Sequence, residues 1–270
     1  AIGAEIAGIN LTGNLPEDTI AEVRTALLEH LVIFLRDQDI SDEDLARFGR
    51  QFGELAPLPP HRQFPGKFPE LLVVDKKPDD KLNFGWEWHS DTTHLEVPSL
   101  GSILVAKIVP PSGGDTFFAN QYMAYEQLSD GMKQLLEGLR AVHSNGRILR
   151  TLAEGATLPR RTEAASAGSS ELWAATHPVV RTHPETGRKC LFLGRRLDAW
   201  IVGLPVDESE EVLDAVWDHA TSDEFSWTHK WLNGDMVMWD NRCVMHRRDA
   251  FDPSLRRHMQ RTQIVGTQPV

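Results

Sequence analysis

The chain contains little cysteine and no long apolar segment. Its 270 residues include two cysteines, Cys190 and Cys243. These are too few for a disulfide framework, so the sequence predicts two buried thiols and a reducing compartment. No apolar run approaches the roughly 20 residues that span a bilayer, and the opening segment AIGAEIAGINL lacks the basic and apolar regions of a secretory signal. We therefore expect a cytoplasmic protein.

Positive charge is also scarce. The 28 Lys and Arg residues are outnumbered by 39 Asp and Glu residues, and the formal net charge is −11. Binding to nucleic acid or to an anionic membrane needs a clustered excess of Lys and Arg, so the composition argues against both partners, although local basic sites remain open. The length, without a compositional break, predicts one domain over residues 1–270.

Four segments are predicted to be helical. Segment 16–35, PEDTIAEVRTALLEHLVIFL, starts at Pro16 and carries apolar residues at helical spacing. Segment 41–53, SDEDLARFGRQFG, begins with Ser41 as N-cap and has Asp44 three residues later. Two further helices are predicted over residues 121–140 and 207–220.

Most of the remaining chain reads as short β segments between turn-rich stretches. The segments are ELLVVD, GSILVAKIV, HPVVRTH, KCLFLG and MVMWD. Many short strands with few helices predict a mainly β fold with flanking helices, a double-sheet jelly roll. Residues 151–175 are small, polar and without periodicity, and we predict a long loop there of the kind that covers active sites.

The stretch WEWHSDTTH, residues 86–94, places His89 and Asp91 two positions apart. Alternate residues of a strand share a face, so both side chains can bind one metal ion, although a hydrogen-bonded structural pair explains a lone H-x-D equally well. A third ligand can come from His246, at the end of the predicted strand RCVMH, or from His258. Two histidines and a carboxylate form the facial triad of non-haem Fe(II) oxygenases, but zinc hydrolases use similar ligands, so the ligand types leave the metal open.

Two arginines near the C-terminus bear on that choice. In the predicted strand HMQRTQIVG and the residue before it, Arg257, Met259 and Arg261 share a face. Inward-facing arginines are costly unless they meet an anion, and a dicarboxylate would suffice. The alternative is a solvated basic turn that offsets the acidic surface. A metal triad nearby favours the first interpretation.

Three longer stretches together carry a family resemblance. WHSDTTHLEVPSLGSILVAKIVPPSGGDTFFANQYMAYEQLS, HPVVRTHPETGRKCLFLG, and WDNRCVMHR followed by RRHMQR resemble the taurine and 2,4-dichlorophenoxyacetate dioxygenase family. Its members are Fe(II)- and 2-oxoglutarate-dependent oxygenases. The resemblance implies a clavaminate-synthase-like double-stranded β-helix and a homo-oligomer. It implies that iron is bound by His89, Asp91 and His246, that the distal carboxylate of 2-oxoglutarate is held by Thr116 and Arg257, and that Arg261 lies nearer iron and substrate.

The resemblance also implies the reaction. 2-Oxoglutarate and O2 are consumed, succinate and CO2 are released, and a small organic anion is hydroxylated. Taurine selectivity in the family rests partly on an asparagine before the H-x-D and on a histidine and a tyrosine upstream. Here Gly85 stands in place of the asparagine and the stretch PLPPHRQFP has no tyrosine, which leaves His61 or Arg62 to serve another anion. The C-terminal segment resembles the aryloxyacetate branch, so we expect an aryloxyalkanoate-like carboxylate, with a sulfonate or alkyl sulfate as alternatives.

Other polar and aromatic residues have structural interpretations. His177 and His183 are predicted to be turn or satisfied core residues, and Trp86, Trp88 and Trp239 to form core or pocket walls. Two further functional classes remain open from the residues alone. They are a zinc-dependent hydrolase and a metal-silent binding protein on a jelly roll.

Overall fold

The computed structural model describes residues 2–57, 68–78, 80, 85–146 and 174–270. His61 and Arg62 lie outside this range, and so does the predicted loop 151–175 apart from Ala174 and Ala175, which begin a strand. The helices are α1 (Glu17–His30), α2 (Asp42–Arg50), α3 (Gln121–Glu126), α4 (Asp130–Leu136) and α5 (Val206–Ala220). The strands are β1 (Ala4–Glu5), β2 (Val32–Leu35), β3 (Leu72–Lys76), β4 (Ser99–Ile108), β5 (Thr116–Asn120), β6 (Arg140–Ser144), β7 (Ala174–Pro178), β8 (Val180–Thr182), β9 (Lys189–Leu191), β10 (Ala199–Ile201), β11 (Ser226–His229), β12 (Met236–Asp240), β13 (Val244–Arg248) and β14 (Arg257–Val265).

Two sheets dominate the architecture. The major sheet has the strand order β1-β2-β12-β4-β14-β3, and a minor sheet has the order β11-β5-β13. The remaining small sheets are β10-β6-β7 and β8-β9. Within the described strands the pairing is antiparallel apart from β1 with β2.

Side-chain alternation along the strands of the major sheet produces two cores. On β12, Met236 and Met238 pack under the helices α1 and α2, whereas Val237 and Trp239 point to the minor sheet. The inner core also contains Phe118 of β5, so it fills the space between the two sheets. Period-two alternation therefore makes the major sheet apolar on both faces. This arrangement, with helices outside, is the predicted double-stranded β-helix.

The first predicted helix is too long. Helix α1 ends at His30, Leu31 adopts a left-handed conformation with φ 64°, and the following residues form strand β2. The segment Val32–Leu35 consists of β-branched, aromatic and apolar residues, and its pairing with β12 buries all four of them. Tertiary pairing overrides helical spacing at this point.

The predicted helix over 121–140 is also wrong in extent, because the chain breaks it into α3 and α4. Ser129 starts the second helix by accepting a hydrogen bond from the N–H of Met132 at 3.2 Å. HPVVRTH likewise divides into β7 and β8. The predictions for α2 and α5 are confirmed, and Ser41 and Asp44 form a reciprocal capping box.

Candidate active site

The three predicted metal ligands lie together between the two sheets. The nitrogen and oxygen atoms that His89, Asp91 and His246 can offer all lie within 4.8 Å of one another, and all three residues are buried. His89 Nε2 is 3.7 Å from Asp91 Oδ1, and His246 Nε2 is 3.8 Å from Asp91 Oδ2. These distances exceed hydrogen-bond length. Two ring nitrogens and a carboxylate thus face one point.

The two imidazoles are in the form that binds a metal. His89 Nδ1 lies 2.8 Å from the carbonyl oxygen of Glu87, which can only accept, so Nδ1 carries the proton and Nε2 offers its lone pair. Burial lowers the pKa of His89 well below its usual value, helped by the charge of Arg195. Burial also lowers the pKa of His246 to about 4. Both rings are therefore neutral at physiological pH.

Asp91 is held as a carboxylate. Burial acts to raise the pKa of Asp91, but the guanidinium of Arg261 outweighs this effect and holds the pKa far below its usual range. Arg261 donates to Asp91 Oδ2 and to the hydroxyl of Ser102, which itself donates to Asp91 Oδ2 at 3.0 Å. Arg261 thus orients one carboxylate oxygen at the site.

The predicted strand around His89 is reduced to a single pairing residue. His89 forms isolated bridges, whereas Asp91 begins a turn, so the alternation of a regular strand does not align the pair. Asn241, in the turn between β12 and β13, does so instead. Its side chain accepts from the N–H of Asp91 at 2.7 Å and donates to the carbonyls of Asp91 and Ser99 at 2.9 and 3.1 Å. Five residues later, the same hairpin carries His246.

A second polar subsite lies nearby on the inner faces of β5 and β14. Arg257 is 5% exposed, its Nε has no hydrogen-bond partner among the described residues, and it stacks near Trp231 with 5.8 Å to the ring centroid. The indole of Trp231 donates to Thr116 Oγ1 at 2.9 Å, which places the threonine hydroxyl beside the same ring. Burial, together with the nearby charge of Arg248, lowers the pKa of Arg257 to about 9. Such a site favours an anion.

The other predicted ligand and core residues are placed as follows. His258 is not part of the triad and lies 3.3 Å from Asp75. His177 and His183 are buried and satisfied, His177 by the carbonyls of Thr93 and Leu95 and His183 by Asp240. The predictions for these two histidines are confirmed. The thiols of Cys190 and Cys243 are free and buried, as predicted.

The tryptophans differ among themselves. Trp239 is buried beneath His246, with ring centroids 4.8 Å apart, and Trp88 packs against the core near α3 and α4. Trp86 is 60% exposed, so its assignment to the core is wrong. It lies between Gly85 and His89, whose backbones hydrogen-bond to Arg248 and His246 of β13.

A second group of potential ligands, His183, Asp240 and Cys243, is also buried. Asp240 already accepts hydrogen bonds from His183 and from the side chain and backbone of Arg242, with distances of 2.6 to 3.1 Å. Burial raises the pKa of Cys243 far above its usual value, so this thiol stays protonated. The group is a structural network that braces the β12–β13 turn.

Three residues near the ligands were not predicted from the sequence. Ser102 and Asn241 orient Asp91, and Arg195 pairs with His89 across the chain. The sequence signal that points to Asn241 is its place in WDNR, five residues before His246. Arg195 follows a glycine in FLGRR, which carries no recognisable pattern of its own.

A jelly roll that brings two neutral histidines and a carboxylate together between its sheets, with a buried arginine beside them, has the ligand set of the class of mononuclear non-haem iron oxygenases. Comparison with known proteins specifies the family. The sequence model for "Taurine catabolism dioxygenase TauD, TfdA family" matches residues 1–263.

Curated relatives agree with that match. The chain is 35% identical over 275 residues to the alpha-ketoglutarate-dependent 2,4-dichlorophenoxyacetate dioxygenase of Cupriavidus pinatubonensis, covering 96% of this chain and 92% of the relative. It is 32% identical to an alpha-ketoglutarate-dependent sulfate ester dioxygenase of Pseudomonas putida, covering 100% of this chain and 88% of the relative. A crystal structure of AAD-2 in complex with Mn(II) and N-oxalylglycine is 32% identical and superposes with a TM-score of 0.80, covering 99% of this chain and 95% of that one.

The chain belongs to the TauD/TfdA family. It is an Fe(II)- and 2-oxoglutarate-dependent dioxygenase, which uses O2, and the comparisons give no support to a zinc hydrolase or a metal-silent binding protein. Among the described residues, no helix is both long enough and apolar enough to cross a membrane.

Proposed function

We propose that the protein hydroxylates a small organic anion, with an aryloxyalkanoate-like carboxylate as the favoured substrate and a sulfonate or an alkyl sulfate as the alternatives. The observation that carries the proposal is the convergence of His89, Asp91 and His246 beside a buried arginine subsite. The favoured substrate is supported by the relative that acts on 2,4-dichlorophenoxyacetate and by Gly85, which stands where taurine-selective members have asparagine. The relative that acts on sulfate esters supports the alternative.

In this proposal the triad holds the iron. His89 and His246 offer Nε2 lone pairs, and Asp91 supplies the negative charge while Arg261 and Ser102 keep one of its oxygens oriented. Bound there, Fe(II) would supply the redox chemistry that couples the use of O2 to decarboxylation of 2-oxoglutarate and to oxidation of a substrate C–H bond. With three protein ligands, the other coordination positions would be left to small molecules.

We assign Thr116 and Arg257 to the distal carboxylate of 2-oxoglutarate. Arg257 is a buried cation, and its Nε has no hydrogen-bond partner among the described residues. Thr116 adds a hydroxyl whose oxygen already accepts from Trp231, so its own proton remains available to a carboxylate. N-Oxalylglycine, present with Mn(II) in the related AAD-2 structure, replaces a methylene of 2-oxoglutarate by N–H and keeps both carboxylates.

The walls of the site restrict water and orient the substrate. Trp239 and Phe118 pack against His246, with ring centroids 4.8 and 6.1 Å away, and form an apolar floor behind the ligands. A rigid site of this kind holds the substrate in one position, and that position decides which of its bonds reacts. It also limits reaction of the oxidant with water and bystander groups.

The test is anaerobic loading with Fe(II) and 2-oxoglutarate, followed by O2 and a panel of aryloxyacids, sulfonates and sulfate esters. Succinate formation and loss of substrate are measured together. Asp91→Ala should abolish both, because it removes the anionic ligand, and should also abolish the stabilisation that Mn(II) gives against thermal unfolding. Wild-type turnover by this variant would refute the assignment of the site.

Three further expectations from the sequence remain predictions. They are a single catalytic domain with a covering loop over residues 151–175, a homo-oligomeric state and a cytoplasmic location. The first is tested by shortening the loop and measuring succinate formed without substrate oxidation, and the second by light scattering of the purified protein. The third is tested by fractionation of the source cells.

A further inference from the structure

Trp231 lies between the two sheets, next to both residues that we assign to the distal carboxylate of 2-oxoglutarate. Its indole N–H donates to Thr116 Oγ1 of β5 at 2.9 Å, and the guanidinium carbon of Arg257 on β14 lies 5.8 Å from the centroid of its ring. Trp231 is 7% exposed and belongs to the inner core. One buried ring thus joins the two halves of the subsite.

The hydrogen bond from the indole determines which way the Thr116 hydroxyl points. An indole N–H can only donate, whereas a hydroxyl can accept and can also donate its own proton. Because the oxygen of Thr116 accepts from Trp231, its proton is directed away from the ring. Without that contact the hydroxyl would be free to rotate and to donate elsewhere. A donor that is already oriented loses less conformational freedom when a carboxylate binds to it.

The position of Trp231 is in turn fixed by a buried network centred on Asp235. Asp235 Oδ2 accepts from the backbone N–H of Leu232 at 2.8 Å and from His229 Nε2 at 3.0 Å. The guanidinium of Arg36 also donates to this oxygen, and the N–H of Asp235 donates to the carbonyl of Leu232 at 3.1 Å. The imidazole of His229 packs edge-on against the indole, with ring centroids 4.7 Å apart. Trp231 is therefore held by a rigid support, as the orientation of a binding group requires.

We propose that Trp231 is a positioning residue for 2-oxoglutarate, and that it orients the Thr116 hydroxyl toward the distal carboxylate of this cosubstrate. The inference rests on the proposed function, in which Thr116 and Arg257 bind that carboxylate. Trp231 acts through Thr116 and needs no contact of its own with the cosubstrate. The affinity of the subsite should then depend on the indole N–H only while residue 116 carries a hydroxyl.

The test measures binding of N-oxalylglycine to the Mn(II)-loaded protein by calorimetry. Trp231→Phe keeps an aromatic ring but removes the N–H, and it should weaken N-oxalylglycine binding by about 3- to 10-fold, the effect of one hydrogen bond. Binding of oxalate, which chelates a metal but is too short to reach the subsite, should not change. Trp227→Phe is the matched control. Trp227 stacks on Phe34 and Phe118, with ring centroids 5.9 and 6.0 Å apart, and its variant should bind both probes as the wild type does.

A double-mutant cycle separates orientation of the hydroxyl from packing of the ring. Thr116→Val removes the hydroxyl and should weaken N-oxalylglycine binding by about 10- to 100-fold. Added to Thr116→Val, Trp231→Phe should cause no further loss, whereas added to Thr116→Ser, which keeps a hydroxyl, it should again weaken binding by about 3- to 10-fold. If Trp231→Phe does not fold, replacement of Trp231 by 3-benzothienylalanine, which keeps the ring shape and has sulfur in place of the N–H, makes the same comparison.

The inference is overturned if Trp231→Phe binds N-oxalylglycine as the wild type does, if it weakens oxalate binding equally, or if its effect is undiminished in the Thr116→Val background. Failure of the proposed function is a separate result. It appears when Arg257→Ala leaves N-oxalylglycine binding unchanged, or when the wild type forms no succinate with Fe(II), 2-oxoglutarate, O2 and the substrate panel. Either of these results would also overturn the inference.

Discussion

Asn241 should stabilise both the fold and the metal site, because its side chain joins the H-x-D segment to the hairpin that carries His246. It is fully buried and makes three hydrogen bonds, to the N–H and carbonyl of Asp91 and to the carbonyl of Ser99. Each bond contributes about 1 kcal/mol net, and more where a buried partner is left unsatisfied. Asn241→Ala should therefore lower the free energy of unfolding by about 3 kcal/mol, a decrease in Tm of about 6–12 °C at the sensitivity of chains near this size.

The effect on metal binding follows from the same geometry. Asn241 does not face the metal, but it fixes the backbone of Asp91, and loss of such a supporting contact weakens metal affinity by about 10- to 100-fold. Asn241→Asp gives the sharper comparison. It keeps the oxygen that accepts from the Asp91 N–H, but it replaces the NH2 group that donates to two carbonyls by a second oxygen. Both variants should show reduced Tm in the metal-free state and weaker Mn(II) binding by calorimetry.

Asn233 provides the control for this experiment. Its side chain makes one exposed hydrogen bond, from the N–H of Val109 at 2.9 Å, so Asn233→Ala should cost less than about 1 kcal/mol and leave Mn(II) affinity unchanged. If Asn241→Asp matched the wild type in both Tm and Mn(II) affinity, the reasoning would be refuted, because the two lost donor bonds would then carry no energy.

Three other predictions concern single groups. Arg257→Ala should weaken 2-oxoglutarate binding by about 2–5 kcal/mol, or about 30- to 5,000-fold. Arg256→Ala, which removes an exposed partner of Asp75, should leave that binding unchanged. If the two variants bound 2-oxoglutarate with equal affinity, the assignment of Arg257 to the subsite would be contradicted. Burial lowers the pKa of His143 from 6.5 to about 3, so the unfolded chain binds the proton more tightly and stability falls as pH drops below 6.5. Between pH 7.5 and 5 the free energy of unfolding should decrease by about 2 kcal/mol through this residue. In urea unfolding of the metal-free protein, His143→Leu should remove that decrease. An unchanged pH dependence in the variant would count against a buried neutral ring. Burial raises the pKa of Cys190 to about 12 and raises the pKa of Cys243 well above its usual value, so neither thiol should react with a disulfide reagent at pH 8 until urea unfolds the chain.

Much of the fold was predictable because its signals are local. The capping box at Ser41, the alternation in MVMWD and the helical pattern of 207–220 all depend on neighbours within a few residues. The largest error in the strands arose where distant pairing decided the outcome. Segment Val32–Leu35 joins a strand because β12, some 200 residues later, pairs with it, and no local signal contains that partner.

The candidate site divides in the same way. The residue types and spacing of His89, Asp91 and His246, with the inward arginines of one strand, follow from the sequence and its family resemblance, since ligand chemistry is a property of the side chains themselves. Which groups support those ligands is a matter of tertiary structure. Asn241 meets Asp91 across 150 residues of chain, and Arg195 meets His89 across a single bridge. Hydrogen bonds and charges act over a few ångströms, so only the folded arrangement decides which distant side chains they join.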